Sequence, residues 1–248
     1  RGVLDWLLLN NIERGDVLVA LGGGVVGDLA GFAAATVLRG IALIHLPTTV
    51  LAMVDSSIGG KTGVDHAVGK NLVGSFYQPR LVLADTSVLA TLPPAERAAG
   101  WAEAIKHGVI GDAALFADLH QHAAAALALT EPITGELIQR AAAYKVRTVS
   151  GDEREHGSRI TLNYGHTLGH AVEAESGYTL RHGEAVAIGM MAAGTIAQRL
   201  GLFAPEALEE QRQVLEAFGL PTRIPARINQ ARLLERITER GLALGGRL

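Results

Sequence analysis

The chain has 248 residues, 48% of them hydrophobic, with 30 glycines and a formal net charge of −3. That length can bury one large core or two modest ones, and slight acidity without a basic run excludes nucleic acid or an anionic membrane as the main partner. With no cysteine, disulfides and thiolate metal ligands are excluded, so a metal must be held by His, Asp or Glu.

Arg1 to Asn11 is short and carries Asp5, which argues against a signal peptide, and the absence of cysteine is compatible with the cytoplasm. The start at Arg1 without a Met reads as a fragment or a trimmed chain. Val17 to Leu38 is the most membrane-like run, but a glycine triplet and a central Asp28 make it a strand, turn and helix rather than a span. Asp16 to Leu21 is apolar and partly β-branched, as a buried strand is. Gly22-Gly23-Gly24-Val25-Val26-Gly27-Asp28 follows, then the helix-like LAGFAAATVL. Gly22, Gly24 and Gly27 satisfy G-x-G-x-x-G between strand and helix, where backbone amides can receive a pyrophosphate. The acidic residue expected about 20 positions on for a ribose hydroxyl is absent, since that region reads His45-Leu46-Pro47. The unit is therefore not an ordinary Rossmann one, and a glycine turn that only lets helix pack on strand is the alternative.

Ile41 to Leu46 is a second strand candidate, ending in a Pro47-Thr48-Thr49 turn. Asp55 to Asn71 is polar and glycine-studded, and puts Asp55, Lys61, Lys70 and Asn71 on backbone expected to be flexible. That suits a phosphate or carboxylate pocket, or simply a mobile surface loop. Leu81 to Ala84 is a third strand candidate, and after Leu92-Pro93-Pro94 nearly everything reads helical. The expected organisation is a nucleotide-binding α/β layer over 1–92 and a helical metal-bearing domain over 93–248, with a cleft between them.

Of the 22 basic residues 18 are Arg and four are Lys: Lys61, Lys70, Lys106 and Lys145. Either lysine persists where a compact, flexible ammonium is needed, or codon bias left four by chance. In the helix candidate Ala95 to Ile110, Glu103 and Lys106 share a face, with His107 beside them. From Asn163 to Glu184 the chain places His166, His170 and His182; the first two share a helix face, and a Gly177-Tyr178 turn can fold the third back onto them. Two histidines plus a carboxylate is a common catalytic zinc set that leaves one position open. Glu103 is the candidate carboxylate, with Lys106 near enough to favour its ionised form. A surface ion pair and a chance histidine pair are the plain alternatives.

The blocks LGGGVVGDLAGFAAA, Arg39-Gly40, PTTVLAMVDSSIGGKTGVDHAVGKN, AEAIKHG, DEREHGSR, LNYGHTLGHAVE and HGEAVAIGM, in this order, resemble the 3-dehydroquinate synthase family of sugar-phosphate cyclases over nearly the whole chain. The resemblance implies a dehydroquinate synthase-like fold: an incomplete Rossmann-like α/β layer that binds NAD, then an all-α metal-binding domain. It implies zinc or cobalt on Glu103, His166 and His182, with His170 off the metal. NAD is implied at Gly23, Gly24, Val25 and Asp28, with Thr48, Thr49, Asp55 and Lys70. For the substrate it implies Lys61, Lys70, Asn71 and His170 on a phosphate and Lys145 and Arg159 on a carboxylate. Asp55, Lys106, Asn163 and Glu155 fall in the hydroxyl and water network. Arg39 is similar to a residue that reaches a neighbouring subunit's phosphate site, which implies a homodimer. The implied reaction turns 3-deoxy-D-arabino-heptulosonate 7-phosphate into 3-dehydroquinate and phosphate, with NAD reduced and reoxidised within the cycle.

Two departures accompany the resemblance. The family has a further N-terminal segment with a Gly-Glu and a later Lys of the dinucleotide site, and a C-terminal Asp-Lys-Lys where this chain reads Glu239-Arg240-Gly241-Leu242. A chain truncated at both ends, binding zinc and NAD but turning over poorly, is the corresponding expectation. The rivals are another sugar-phosphate cyclase, which should alter Lys145 and Arg159, and a metal-dependent polyol dehydrogenase, which needs no phosphate-gripping lysines. A decayed binding protein is the non-enzyme alternative.

Overall fold

The computed structural model describes residues 2–66 and 69–243, and the side chains of these except 69–71 and 239–243. Helix α1, Gly2–Leu9, leads into strand β1, Val17–Gly22, and then directly into helix α2, Gly24–Thr36. Strand β2, Ala42–Pro47, runs parallel to β1, from Val17 opposite Ala42 to Gly22 opposite Pro47. Both strands therefore end level with each other, beside the start of α2. The chain next makes a π-helical turn, Ala52–Ser56, which carries Asp55; such turns often mark functional positions.

The segment expected to be a flexible loop is instead largely paired. Strand β3, Lys61–His66, lies antiparallel to β4, Gly69–Phe76. Two facing glycines permit the close approach, since a Cβ on Gly74 would lie 2.2 Å from the Thr62 carbonyl oxygen. The Thr62 hydroxyl ties across to the Ser75 carbonyl at 2.9 Å. Lys70 and Asn71 fall in β4, and their side chains lie outside the described residues. Strand β5, Leu81–Val82, shorter than expected, joins β2 in parallel and gives the sheet order β1-β2-β5.

From Pro94 onward the described chain is helical: α3 Pro94–Gly111, α4 Ala113–Leu127, α5 Ile133–Gly151, α6 His166–Glu175, α7 His182–Arg199, α8 Pro205–Ala217 and α9 Gln230–Ala243. Helix α3 is the axis of this half. Residues Ala99 to Gly108 are buried without a break, and a helix apolar or buried on all sides belongs to a core rather than a surface. Trp101 packs on Phe218 with ring centroids 5.7 Å apart. The same cluster takes in Val50, Met53 and Val54, so the turn carrying Asp55 is rooted in the helical core. A smaller cluster, including Leu7, Ala20, Ala34, Ile41 and Leu43, holds α1 and α2 on the sheet.

Small residues bring α7 against its neighbours. A Cβ on Gly183 would sit 1.8 Å from the Ala99 carbonyl oxygen, and one on Gly189 1.8 Å from that of Gly165. Helix α7 therefore touches α3 and the entrance of α6 backbone to backbone. Among the described residues no helix is long and apolar enough to cross a membrane.

Candidate active site

The three close-packed helices decide where the histidines go. His166 opens α6, His182 opens α7, and Glu103 sits mid-way along α3, fully buried. Its Oε1 lies 3.4 Å from His166 Nε2 and 3.3 Å from His182 Nε2. No hydrogen-bond donor reaches that oxygen among the described residues. Four atoms each about 2.0–2.1 Å from a tetrahedral zinc ion stand about 3.3–3.4 Å apart. The buried oxygen and the two nitrogens thus fit a tetrahedral divalent metal both in chemistry and in spacing.

The outer nitrogens of both rings have partners of their own. His166 Nδ1 is 3.2 Å from the Tyr164 carbonyl oxygen, and His182 Nδ1 is 3.4 Å from Glu173 Oε2. Each contact turns Nε2 inward. Burial pushes the Glu103 carboxyl up, but Lys106 and His166 outweigh it and hold the group well below the usual carboxylate range. Burial pushes His182 down, and the Glu103 and Glu173 carboxylates overcome this and raise it to about 9. His170 borders the same point, its ring 5.2 Å from that of His166 and 5.7 Å from that of His182. One ring nitrogen from each of His166, His170 and His182 lies within 4.8 Å of the others, so the three imidazoles converge on one point that could hold a cation.

A second cluster adjoins the first. The Nζ of Lys145, on α5, lies 2.7 Å from both Oδ1 and the backbone oxygen of Asp55. Lys106 Nζ hydrogen-bonds Glu103 Oε2 and stands 3.9 Å from Asp55 Oδ1, so it bridges the two clusters. Burial pushes the Asp55 carboxyl up, but Lys145 and then Lys106 pull it far below its ordinary value. Burial pulls Lys106 down, while Glu103 and Asp55 raise it past its usual value and keep it cationic. Lys145 goes the other way, because burial outweighs Asp55. His107, one residue on from Lys106, turns Nδ1 to the Ala141 carbonyl oxygen at 3.1 Å and Nε2 toward Asp55 at 3.6 Å.

Glu155 forms a third group at the edge of the site. It accepts from Lys61 at 2.5 Å and from the Asn163 amide at 2.9 Å, on a backbone with φ of 60°. A non-glycine residue in that left-handed region is strained and is a frequent mark of a working position. Burial raises the Glu155 carboxyl and Lys61 more than offsets it, leaving the group ionised. Arg159, expected on a substrate carboxylate, is 1% exposed and donates to the backbone oxygens of Gly59, at 3.0 Å, and Glu153. In this arrangement it clamps the start of the hairpin to the charged turn, and a carboxylate would reach it only after that loop shifts.

At the sheet, α2 begins where β1 and β2 end, the side of a parallel sheet on which ligands collect. A Cβ on Gly23 would lie 3.0 Å from Thr49 Cγ2, and one on Gly24 3.0 Å from Ser56 Oγ, so a side chain at either position would press on its neighbour and narrow the turn. Thr48 donates its amide to Gly22 at 2.9 Å and Thr49 Oγ1 accepts from the Ala52 amide, which braces the turn. Val25 is 82% exposed at the mouth of α2. Asp28, one turn inside, is pushed up to about 6 by burial and then by Asp65. Arg39 lies beyond the far end of α2, exposed and also in a left-handed conformation at φ 66°. A helix of that length spans about 20 Å, so Arg39 is not part of the cluster.

Glu173 and the contact between His107 and Asp55 are the features that sequence patterns missed. Glu173 falls seven residues after His166, on the same helical face, which is the one signal that could have flagged it.

A parallel α/β layer whose glycine turn faces a helical unit with paired histidines is the architecture that the sugar-phosphate cyclases share. The chain superposes with a TM-score of 0.92 and 28% identity on 2-epi-5-epi-valiolone synthase from Streptomyces hygroscopicus subsp. jinggangensis, solved with NAD+ and Zn2+ bound, covering 98% of this chain and 68% of that one. It matches 2-deoxy-scyllo-inosose synthase, complexed with carbaglucose-6-phosphate, NAD+ and Co2+, with a TM-score of 0.84 and 32% identity over 96% of this chain and 65% of that one.

Within that class the chain belongs to the 3-dehydroquinate synthase family: residues 1–99 match its N-terminal domain and residues 100–240 its C-terminal domain. The 3-dehydroquinate synthase of Nostoc punctiforme is 55% identical over 230 residues, which are 91% of this chain and 63% of that protein. The chain spans a little under two thirds of the length of the curated relatives it matches.

Proposed function

We propose that the protein converts 3-deoxy-D-arabino-heptulosonate 7-phosphate into 3-dehydroquinate and phosphate, as a phosphate-eliminating lyase that uses NAD and a divalent metal. The observation that carries this is the approach of Glu103 Oε1 to the Nε2 atoms of His166 and His182, at 3.4 and 3.3 Å, beside an aspartate gripped by lysine. Identity of 55% to a 3-dehydroquinate synthase, against 28% and 32% to cyclases with other products, favours this substrate within the class.

Glu103, His166 and His182 would hold zinc or cobalt, and Gly23, Gly24, Val25, Asp28, Thr48, Thr49, Asp55 and Lys70 would hold NAD. When bound, the metal supplies Lewis acidity toward substrate hydroxyls and NAD a hydride acceptor that is restored within the cycle.

The chain's own residues do the rest. Asp55, kept ionised by Lys145 and Lys106, accepts a hydrogen bond from a substrate hydroxyl and fixes its orientation. Lys106 remains cationic and stabilises negative charge developing on a neighbouring oxygen. Lys61, half exposed, exchanges Glu155 for the substrate phosphate, with Lys70, Asn71 and His170 completing that pocket. Glu155 and Asn163, released from Lys61, order the hydroxyl and water network. Lys145, with Arg159 once its loop shifts, takes the substrate carboxylate. Residues 1–92 form the NAD-binding domain and 93–248 the metal- and substrate-binding one. The assembly is a cytoplasmic homodimer in which Arg39 serves the neighbouring subunit.

The experiment is a substrate comparison. Phosphate release from the heptulosonate phosphate should exceed that from a sugar phosphate lacking the carboxylate, and Lys145→Ala should narrow the gap. Equal rates on both substrates would reassign the protein to another cyclase.

A further inference from the structure

We infer that Glu173 is a positioning residue of the metal centre, orienting His182 and adding its negative charge to the surroundings of the cation. The inference rests on the metal reading above. Glu173 lies on the last turn of α6, 8% exposed, with Oε2 3.4 Å from Nδ1 of His182. On the opposite edge of the same ring, Nε2 faces Glu103 Oε1 at 3.3 Å. The imidazole therefore stands between two carboxylates, and only its Nε2 edge faces the point where the donor atoms meet.

An acceptor on Nδ1 fixes the ring proton there and leaves the Nε2 lone pair for a cation. His166 receives the same service from a neutral group, the Tyr164 carbonyl at 3.2 Å. The two rings are thus oriented by different chemistry. A carboxylate partner makes its imidazole more basic, and with Glu103 it brings two formal negative charges to a site for a dication.

The geometry is built into the helix pair rather than being a chance of side-chain rotation. A Cβ on Gly169 would lie 3.0 Å from the Ala185 carbonyl oxygen, so α6 and α7 are already in backbone contact there. The turn between them uses the Glu173 backbone oxygen, which accepts from the Tyr178 amide at 3.0 Å and the Ser176 hydroxyl at 2.7 Å.

The test is zinc affinity by chelator competition, with the visible spectrum of the cobalt-loaded protein and the Tm of the metal-free and zinc-loaded protein, for wild type, Glu173→Gln and Glu173→Ala. Zinc binding should weaken by about 10–100-fold in Glu173→Ala, with a smaller loss in Glu173→Gln, which keeps an acceptor without the charge. The cobalt bands should shift in both, and the rise in Tm that zinc gives, measured from each variant's own metal-free Tm, should shrink with the affinity. If the alanine variant does not fold, the nearly isosteric Glu173→Gln decides alone. Wild-type zinc affinity and an unchanged cobalt spectrum in Glu173→Gln would overturn the inference. A wild-type protein that bound no zinc would overturn the metal reading beneath it, which is a separate result.

Discussion

Replacing Lys106 with methionine should expose what holds the buried charges together. The ammonium is 1% exposed, hydrogen-bonded to Glu103 and 3.9 Å from Asp55. Methionine keeps the apolar stem and removes the charge, leaving the fully buried Glu103 carboxylate without its closest cation. Breaking one side of a buried pair costs about 3–5 kcal/mol. At about 2–4 °C per kcal/mol for a chain of this size, the metal-free protein should lose about 6–20 °C in Tm. A dication placed against Glu103 supplies the missing positive charge, so added zinc should raise the Tm of Lys106→Met by more than it raises that of wild type. The assay is thermal unfolding followed by circular dichroism, with chelator and with excess zinc. A metal-free Tm within 1 °C of wild type, or equal stabilisation of both proteins by zinc, would refute the reasoning.

Other outcomes follow from the same contacts. Asp28 titrates near 6 in the folded chain against 3.8 ordinarily, so its contribution is complete below about pH 4 and is lost as pH rises through 6; urea midpoints between pH 4 and 7 should fall, and Asp28→Asn should flatten that part of the curve. Gly189→Ala places a methyl group 1.8 Å from the Gly165 carbonyl oxygen, and should destabilise the protein by about 1–3 kcal/mol in denaturant melts while weakening metal binding through the displaced His166. Gly23→Ala meets the Thr49 side chain, nearest at Cγ2, 3.0 Å away, so the Tm should change little while calorimetry shows NAD binding at least tenfold weaker.

The shared helix faces were legible because their parts are local. Glu103 and Lys106 sit three apart on one helix, and His166 and His170 four apart on another, distances that helical geometry turns directly into a shared face. The sheet was legible for the same reason, since β1 and β2 are short apolar runs ending in turn residues. The hairpin was not: Lys61 to His66 holds only two β-branched residues among polar ones and a glycine, and it pairs through backbone contact at Gly63 and Gly74 that leaves no apolar signature. The contacts of Arg159 were not legible either. Its partners are the backbone oxygens of Gly59 and Glu153, and a carbonyl acceptor has no residue type to be read. Glu173 escaped notice because the ring it supports is nine residues away, across the turn from α6 to α7.

The measurement that bears most directly on the central claim follows phosphate and NADH together during turnover of the heptulosonate phosphate, with NAD and zinc each present or withheld. Phosphate release that requires both, with no net accumulation of NADH, is the predicted result. Release that persists without NAD or metal, or NADH that accumulates in step with substrate consumed, would contradict it.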